Sequence, residues 1–108
     1  MTTFDDRERA FEAQYARDEE MQFRITARRN RLMGEWAAGL MGLTDVEATS
    51  YAKDVVRADF ENAGDEDVIR KLLGDLTSAR VEIDEAAIRE AMGHRLVEAR
   101  RQLMEAKD

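Results

Sequence analysis

The sequence predicts an all-α protein folded as a four-helix bundle, and three observations lead to that prediction. The 108 residues include no proline, and the helix-favouring residues alanine, glutamate, arginine and leucine dominate. Strand-forming residues are few and scattered. Apolar residues recur at helical spacing in four stretches that are separated by short connections. Connections this short make consecutive helices antiparallel neighbours.

Residues that typically begin or end helices divide the chain into four. Thr44 and Glu47 have the spacing of a capping box, and Gly42 suits the end of the helix before it. Asp65, after a glycine, is expected to cap a third helix, and Asp84 to cap a fourth. In chain order, we predict helices over about residues 21–41, 45–62, 66–79 and 85–106.

Each predicted helix carries an apolar stripe that would face a common core. Residues three and four apart lie on the same side of a helix, so each stripe can pack against its neighbours. In chain order, the stripes are Met21, Ile25, Leu32 and Trp36; Ala48, Tyr51, Ala52, Val55 and Val56; Val68, Ile69, Leu72, Leu73 and Leu76; and Ile88, Ala91, Met92, Leu96, Ala99 and Leu103.

The segment of residues 1–20 differs from the rest of the chain. It holds seven acids and three arginines, a net charge of −4. In a helix, the rings of Phe4, Phe11 and Tyr15 would form a stripe only about 40° wide, offset by about 70° from the stripe of the next helix. Such a helix is marginal in water. We therefore predict that residues 1–20 are mobile or fray, apart from a bundle of residues 21–108, and that the rings anchor the segment in a groove of another protein. The alternative is that the rings dock on the protein's own bundle.

Composition excludes several classes of function. A net charge of −7 argues against a nucleic-acid binder, and no apolar run is long enough to insert into a membrane. There is no cysteine, and His94 is the one histidine, so we expect no metal site. No nucleophile is paired with a base, and no glycine-rich phosphate loop occurs, so we expect no catalytic residue and no enzyme activity.

The arginines after residue 20 allow two interpretations. Arg24, Arg28 and Arg31 recur at spacings of four and three, on one side of a helix, and Trp36 follows. Cations beside an aromatic ring could bind the phosphates and base of a nucleotide. Alternatively, the arginines pair with nearby acids on a solvated helix face, and Trp36 belongs to the core.

Three long stretches carry a resemblance to a known family. They read FDDRERAFEAQYARDEE from Phe4, ARRNRLMGEWAAGLMGLT from Ala27 and YAKDVVRADFENAGDEDVIRKLLGDL from Tyr51. Together they resemble the alphaproteobacterial ATPase inhibitor zeta subunit of the F-type ATP synthase, over nearly the whole chain. The resemblance implies a four-helix bundle that blocks ATP hydrolysis by the catalytic head of the synthase, with ADP or ATP as a regulatory ligand.

The resemblance also implies where the inhibitory residues lie. The first stretch fills the inhibitory position, and its side chains would enter a cleft between head subunits. We expect a protein that is monomeric when free, located in the cytoplasm and peripheral to the synthase in the inner membrane. The alternative function is a nucleotide-sensing helical regulator or adaptor. The residues expected to contact the partner are Phe4, Asp5, Asp6, Arg7, Glu8, Arg9, Phe11, Glu12 and Tyr15.

Overall fold

A computed structural model of the chain describes the backbone of residues 3–61 and 64–105, and the side chains of residues 18–59 and 64–105. Within these residues the fold is all-α with four helices, as predicted. The helices are α1 (Thr3–Met41), α2 (Asp45–Glu61), α3 (Asp65–Ser78) and α4 (Glu85–Glu105). Helix α1 packs against each of the other three, α2 packs against α3, and α3 packs against α4.

Helix α1 begins at Thr3 and not near residue 21, where we predicted the first helix to start. At 1.5 Å per residue its 39 residues span about 58 Å, whereas α4, the next longest helix, has 21 residues. Residues 18–20 are helical, and their side chains are exposed. The side chains of residues 1–17 lie outside the described residues. The prediction that residues 1–20 fray therefore stays a prediction.

The core forms where α1 meets the C-terminal three helices. The predicted stripes of α2, α3 and α4 are buried or half-buried throughout, which confirms them. The buried cluster comprises Met33, Ala37, Val55, Val68, Ile69, Leu72, Leu76, Ile88, Ala91 and Met92.

The predicted stripe of α1 is only partly right. Ile25 is buried, but Leu32 and Trp36 are half-buried, and the fully buried positions of this helix include Met33 and Ala37. The buried side is therefore rotated from the predicted stripe toward Met33 and Ala37. One reason is that small residues contribute little to an apolar pattern, although Gly34 of α1 lies directly against Ala52 of α2.

Two predicted helix starts are confirmed by their hydrogen bonds. The Thr44 N–H donates to Glu47 Oε1 at 2.9 Å, and the Glu47 N–H donates to Thr44 Oγ1 at 3.2 Å, which is a complete capping box. At the start of α4, the Ala87 N–H donates to Asp84 Oδ1 at 2.9 Å. Before α2, Gly42 has a φ of +73°, a left-handed conformation that glycine adopts without strain and that ends α1 as expected.

The prediction that Asp65 caps α3 is wrong. Gly64 is the N-cap residue, no side chain caps this helix, and Asp65 is the first helical residue. The Asp65 carboxylate instead accepts a hydrogen bond from the Arg29 guanidinium at 2.9 Å. A buried guanidinium requires an anionic partner more strongly than a helix end, which water can solvate, requires a cap.

Polar contacts fasten the helices to one another at the rim of the core. The Tyr51 hydroxyl donates to Asp75 Oδ2 at 2.7 Å and joins α2 to α3. Burial, together with this carboxylate, raises the pKa of Tyr51 above its ordinary value. Arg89 on α4 binds Glu85 on its own helix and Glu66 on α3. These contacts hold α2, α3 and α4 in place around α1.

Candidate functional site

The N-terminal candidate residues all lie on α1. The nine residues from Phe4 to Tyr15 that we expect to contact a partner fall in its first four turns, but their side chains are outside the described residues. Among the side chains that are described, Ile25 is the first buried apolar one. The described core therefore draws on α1 only from Ile25 onward.

A groove lies where α1, α2 and the C-terminal part of α4 meet. It consists of two adjoining cavities of about 250 and 380 Å³, which share Arg31 and Val56. We call it the basic groove. The residues that line it are Phe23, Arg24, Ala27, Arg28, Arg31, Thr49, Ala52, Lys53, Val56 and Leu103.

The groove combines a mostly apolar surface with positive charge. Four of its lining residues are cationic, Arg24, Arg28 and Arg31 from α1 and Lys53 from α2, and none of the lining residues is acidic. The chain as a whole carries a charge of −7. The groove is thus a local reversal of the protein's charge, suited to an anionic ligand with an apolar part.

The partners of the groove arginines are weak ones. Arg24 binds Glu20 at 2.9 Å and Arg31 binds Glu35 at 3.3 Å, each one turn away on the same helix with both side chains largely exposed. Exposed ion pairs of this kind stabilise the protein by only about 0.3–0.5 kcal/mol. An anionic ligand could therefore replace the glutamates as the partner of these arginines. Arg28 donates to Gln102 Oε1 at 2.8 Å and links α1 to α4. Arg24 and Arg31 therefore pair with nearby acids, as the second interpretation predicts. All three arginines line one groove, and their binding of a nucleotide stays a prediction.

Trp36 does not join the arginines. It lies half-buried against the core and is not one of the groove-lining residues. Of the four residues predicted to bind a nucleotide, the structure brings three together. The aromatic ring at the groove is that of Phe23, and the fourth cation is Lys53. No sequence signal singled these two out, because their position depends on how α2 and α4 pack against α1.

A buried polar cluster lies beside the core on the side of α3. Asn30 is fully buried and Arg29 is 5% exposed. The Arg29 Nε and one terminal nitrogen donate to Asn30 Oδ1 at 3.1 and 2.8 Å, and the same terminal nitrogen reaches Asp65. The Asn30 Nδ2 finds no hydrogen-bond partner among the described residues. This cluster fixes the start of α3 against α1, and sequence reasoning missed it because arginine and asparagine are read as surface residues.

The described part of the chain shows no metal centre and no membrane span. No cluster of three or more acidic or histidine side chains within it could hold an ion. His94 is exposed and lies 3.8 Å from Glu90 of the same helix. Within the described residues, no helix has the length and apolarity that crossing a bilayer requires.

Comparisons with known proteins agree with this architecture. The family model described as ATPase inhibitor subunit zeta matches residues 1–102. A search of curated proteins returned no match. A solved structure described as a solution NMR structure is similar at 48% identity, covering 79% of this chain and 96% of that one, with a TM-score of 0.70.

The family model spans both the N-terminal candidate residues and all four helices. Its members are inhibitor subunits of ATP synthase and not catalytic enzymes, in agreement with the lack of catalytic residues predicted from the sequence. This chain belongs to the ATPase inhibitor subunit zeta family.

Proposed function

We propose that this protein inhibits ATP hydrolysis by the catalytic head of the F-type ATP synthase, and that its N-terminal helix does so by entering a cleft at a catalytic interface. Membership of the zeta family supports the inhibitory role. What supports the insertion mechanism is that the backbone of α1 is helical from Thr3 and that its side chains at residues 18–20 are exposed. Residues 1–20 then act as an inhibitory segment attached to a bundle of residues 21–108.

The chemistry of the segment suits a cleft between protein subunits. The stripe of Phe4, Phe11 and Tyr15 would be buried against apolar walls, in the helix-in-groove mode. The charged residues on either side would pair with charges that line the cleft. Those residues are Asp5, Asp6, Arg7, Glu8, Arg9 and Glu12.

Simple energetics permit this mode of binding. Burying a large side chain contributes about 1.5–3 kcal/mol, so three rings contribute about 5–9 kcal/mol. Ordering a mobile segment costs about 2–5 kcal/mol or more. The binding free energy from burying the rings thus exceeds the cost of ordering by only a few kcal/mol. Further affinity must come from charge pairs or from contacts of the bundle.

The mechanism is mechanical. The subunits of a rotary catalytic head change conformation during each cycle, and a helix wedged between two of them prevents that change. No residue of the inhibitor then needs to react, which agrees with the expectation from the sequence that the protein has no catalytic residue. The bundle stays outside the cleft and limits how far α1 enters. In this proposal the protein is monomeric when free, cytoplasmic and peripheral to the membrane-bound synthase.

Deleting residues 1–16 tests the proposal. The purified head from the matching organism is assayed for ATP hydrolysis with full-length and with truncated protein. We expect the truncated protein to lose inhibition, because the rings are gone. It should keep its helical circular dichroism and its cooperative melting, since the described core lies beyond the deletion. Undiminished inhibition by a folded truncated protein would refute insertion.

A second candidate function, the sensing of ADP or ATP, is favoured by one observation. Three predicted nucleotide-binding residues, Arg24, Arg28 and Arg31, line a single groove with an apolar floor. The arginines would bind phosphates and the apolar floor would contact the base. Titrating labelled protein with ADP should shift amide resonances of these arginines. If the amide resonances around the groove do not shift, nucleotide sensing is ruled out. The truncation assay tests inhibition separately, because it measures ATP hydrolysis and not ADP binding.

A further inference from the structure

Two of the four cations in the basic groove lack an anionic partner among the described residues. Arg28 is half-buried, and its guanidinium donates to the neutral amide oxygen of Gln102 at 2.8 Å. Lys53 is exposed and forms no ion pair within the described part of the chain. A guanidinium that is partly removed from water is stabilised more by a carboxylate than by an amide. The groove therefore holds positive charge that a negatively charged partner can neutralise.

The cations are spread along the groove and are not gathered at one point. Lys53 lines only the first of the two cavities, and Arg31 lines both. Arg24 and Arg28 line only the second cavity. Arg31 follows Arg24 by seven residues, which corresponds to about 10 Å along a helix. The rest of the lining is mostly apolar, so an extended row of carboxylates beside an apolar side chain matches this surface. A helix with acids three and four residues apart presents such a row.

The groove lies on α1 directly after the segment that is proposed to enter the cleft. The first residue of α1 that lines the groove is Phe23, three residues after Glu20. Three residues correspond to about 4.5 Å along a helix. The described side chains of α1 begin at residue 18, so the end of the segment and the groove belong to one described stretch of helix. A surface of the head that borders the cleft is therefore within reach of the groove when the segment is inserted.

We propose that the basic groove docks an acidic helix of the catalytic head, at the mouth of the cleft that the N-terminal segment enters. The helix lays an apolar side chain on the apolar lining and directs carboxylates at Arg28 and Lys53. The inhibitor then holds the head in two places, with the segment inside the cleft and the bundle at its mouth. The identity of the partner rests on the proposed function, and the docking supplies affinity that the rings alone do not provide.

The charge of the whole protein favours this orientation of the bundle. The chain carries a charge of −7, whereas the groove is lined by four cations and no acid. An acidic partner is therefore attracted to the groove and repelled by acidic parts of the surface. Arg24 and Arg31 add to the attraction, because their ion pairs with Glu20 and Glu35 are exposed and weak.

Binding of the full-length protein to the purified head of the matching synthase, measured by biolayer interferometry, tests the proposal. Lys53→Glu places an acid opposite the carboxylates of the partner and should weaken binding by about tenfold or more. Because salt screens the attraction between opposite charges, added salt should weaken binding of the wild-type protein more steeply than binding of Lys53→Glu. A Lys53→Glu protein that binds the head as tightly as wild type would overturn the proposal.

Arg70→Glu provides a control with the same change of charge. Arg70 lies on α3, its side chain is 76% exposed, and it does not line the groove. This variant should bind the head with unchanged affinity, and circular dichroism checks that both variants are folded. Equal losses of affinity in Arg70→Glu and Lys53→Glu would mean that binding responds only to net charge, which contradicts docking at the groove.

Phe11→Ala separates the docking from the insertion of the segment. If both contacts form, Lys53→Glu should weaken binding by the same factor in the wild-type protein and in Phe11→Ala, because distant and independent sites contribute additively. If only Lys53→Glu weakens binding, docking stands and insertion is wrong. If only Phe11→Ala weakens binding, insertion stands and the docking proposal is wrong. If neither variant weakens binding, both proposals are wrong.

A nucleotide is the other occupant that the groove suits. Titration of the isolated, labelled protein with ADP reports on it through the amide resonances of Arg24, Arg28 and Arg31. If these resonances shift while Lys53→Glu binds the head as tightly as wild type, the groove binds a nucleotide only and the docking proposal is wrong. If Lys53→Glu weakens binding to the head and Arg70→Glu does not, docking stands whether or not ADP also binds.

Discussion

The close approach of α1 and α2 at Gly34 predicts the effect of a single methyl group. A Cβ built on Gly34 of α1 would lie 2.6 Å from the Cα of Ala52 on α2, and 3.3 Å from Val55 Cγ2. Because the nearest atom belongs to the backbone of a packed helix, no side-chain rotation can relieve the clash. The two helices must separate, or α2 must shift along α1.

The size of the effect follows from two opposing contributions. Replacing glycine by alanine inside a helix favours folding by about 1 kcal/mol. Overpacking a tight core costs about 1–3 kcal/mol, and contact with backbone points to the upper part of that range. We therefore expect Gly34→Ala to lower the free energy of unfolding by about 1–2 kcal/mol.

Urea unfolding followed by circular dichroism measures this change, and Gly93 provides a matched control. Gly93 lies inside α4, and nothing is within 4 Å of a Cβ built on it. Gly93→Ala should therefore raise stability by up to about 1 kcal/mol. If Gly34→Ala is as stable as Gly93→Ala, with an unchanged denaturant slope, the close crossing of α1 and α2 described above is wrong.

Two further predictions concern polar contacts. Asp65→Ala removes the carboxylate that Arg29 binds at 2.9 Å and leaves a buried guanidinium without its anion. We expect a loss of about 2 kcal/mol, less than for a fully buried pair because the Asp65 side chain is 56% exposed, and thermal melting with Asp65→Asn as the milder variant measures it. The pKa of Glu47 is held below its ordinary value mainly by the hydrogen bond from the Thr44 backbone N–H, and to a lesser extent by a hydrogen bond with the Thr44 hydroxyl. The resulting stability is present above the unfolded-state pKa and is lost as pH falls through the folded-state pKa. The melting temperature should therefore fall in acid, and less steeply for Glu47→Gln; equal slopes would contradict the capping box.

Helices α2, α3 and α4 could be predicted from the sequence because their signals agree with one another. The predicted starts at 45, 66 and 85 lie within one residue of Asp45, Asp65 and Glu85. In each of these helices the apolar residues of the predicted stripe are buried or half-buried, whereas Val46, Val97 and Met104, which lie outside the stripes, are exposed. Local end signals and apolar periodicity then lead to the same result, and packing confirms it.

Helix α1 shows where this reasoning stops. The first helix was predicted to start near residue 21, because the high charge of residues 1–20 indicated too little burial, whereas the backbone is helical from Thr3. The predicted fraying of that segment stays a prediction. The buried side of α1 was misplaced as well. Gly34 and Ala37 face the other helices, and an apolar pattern gives such small residues almost no weight.

The candidate site was predictable only in part. The spacing of Arg24, Arg28 and Arg31 placed them on one side of α1, and the structure gathers them along one groove. Lys53 joins them from α2, and Trp36 does not. Both outcomes depend on the rotation of one helix against another, which the side-chain packing sets and no spacing within one helix encodes.

The most direct test of the insertion mechanism is site-specific photo-crosslinking to the catalytic head under inhibiting conditions. A photoreactive residue in place of Phe11 should form adducts with head subunits that line a catalytic interface. The same residue in place of Val46, which is 81% exposed on the bundle, serves as the control and should form few. Adducts from position 46 without adducts from position 11 would contradict insertion of the N-terminal helix.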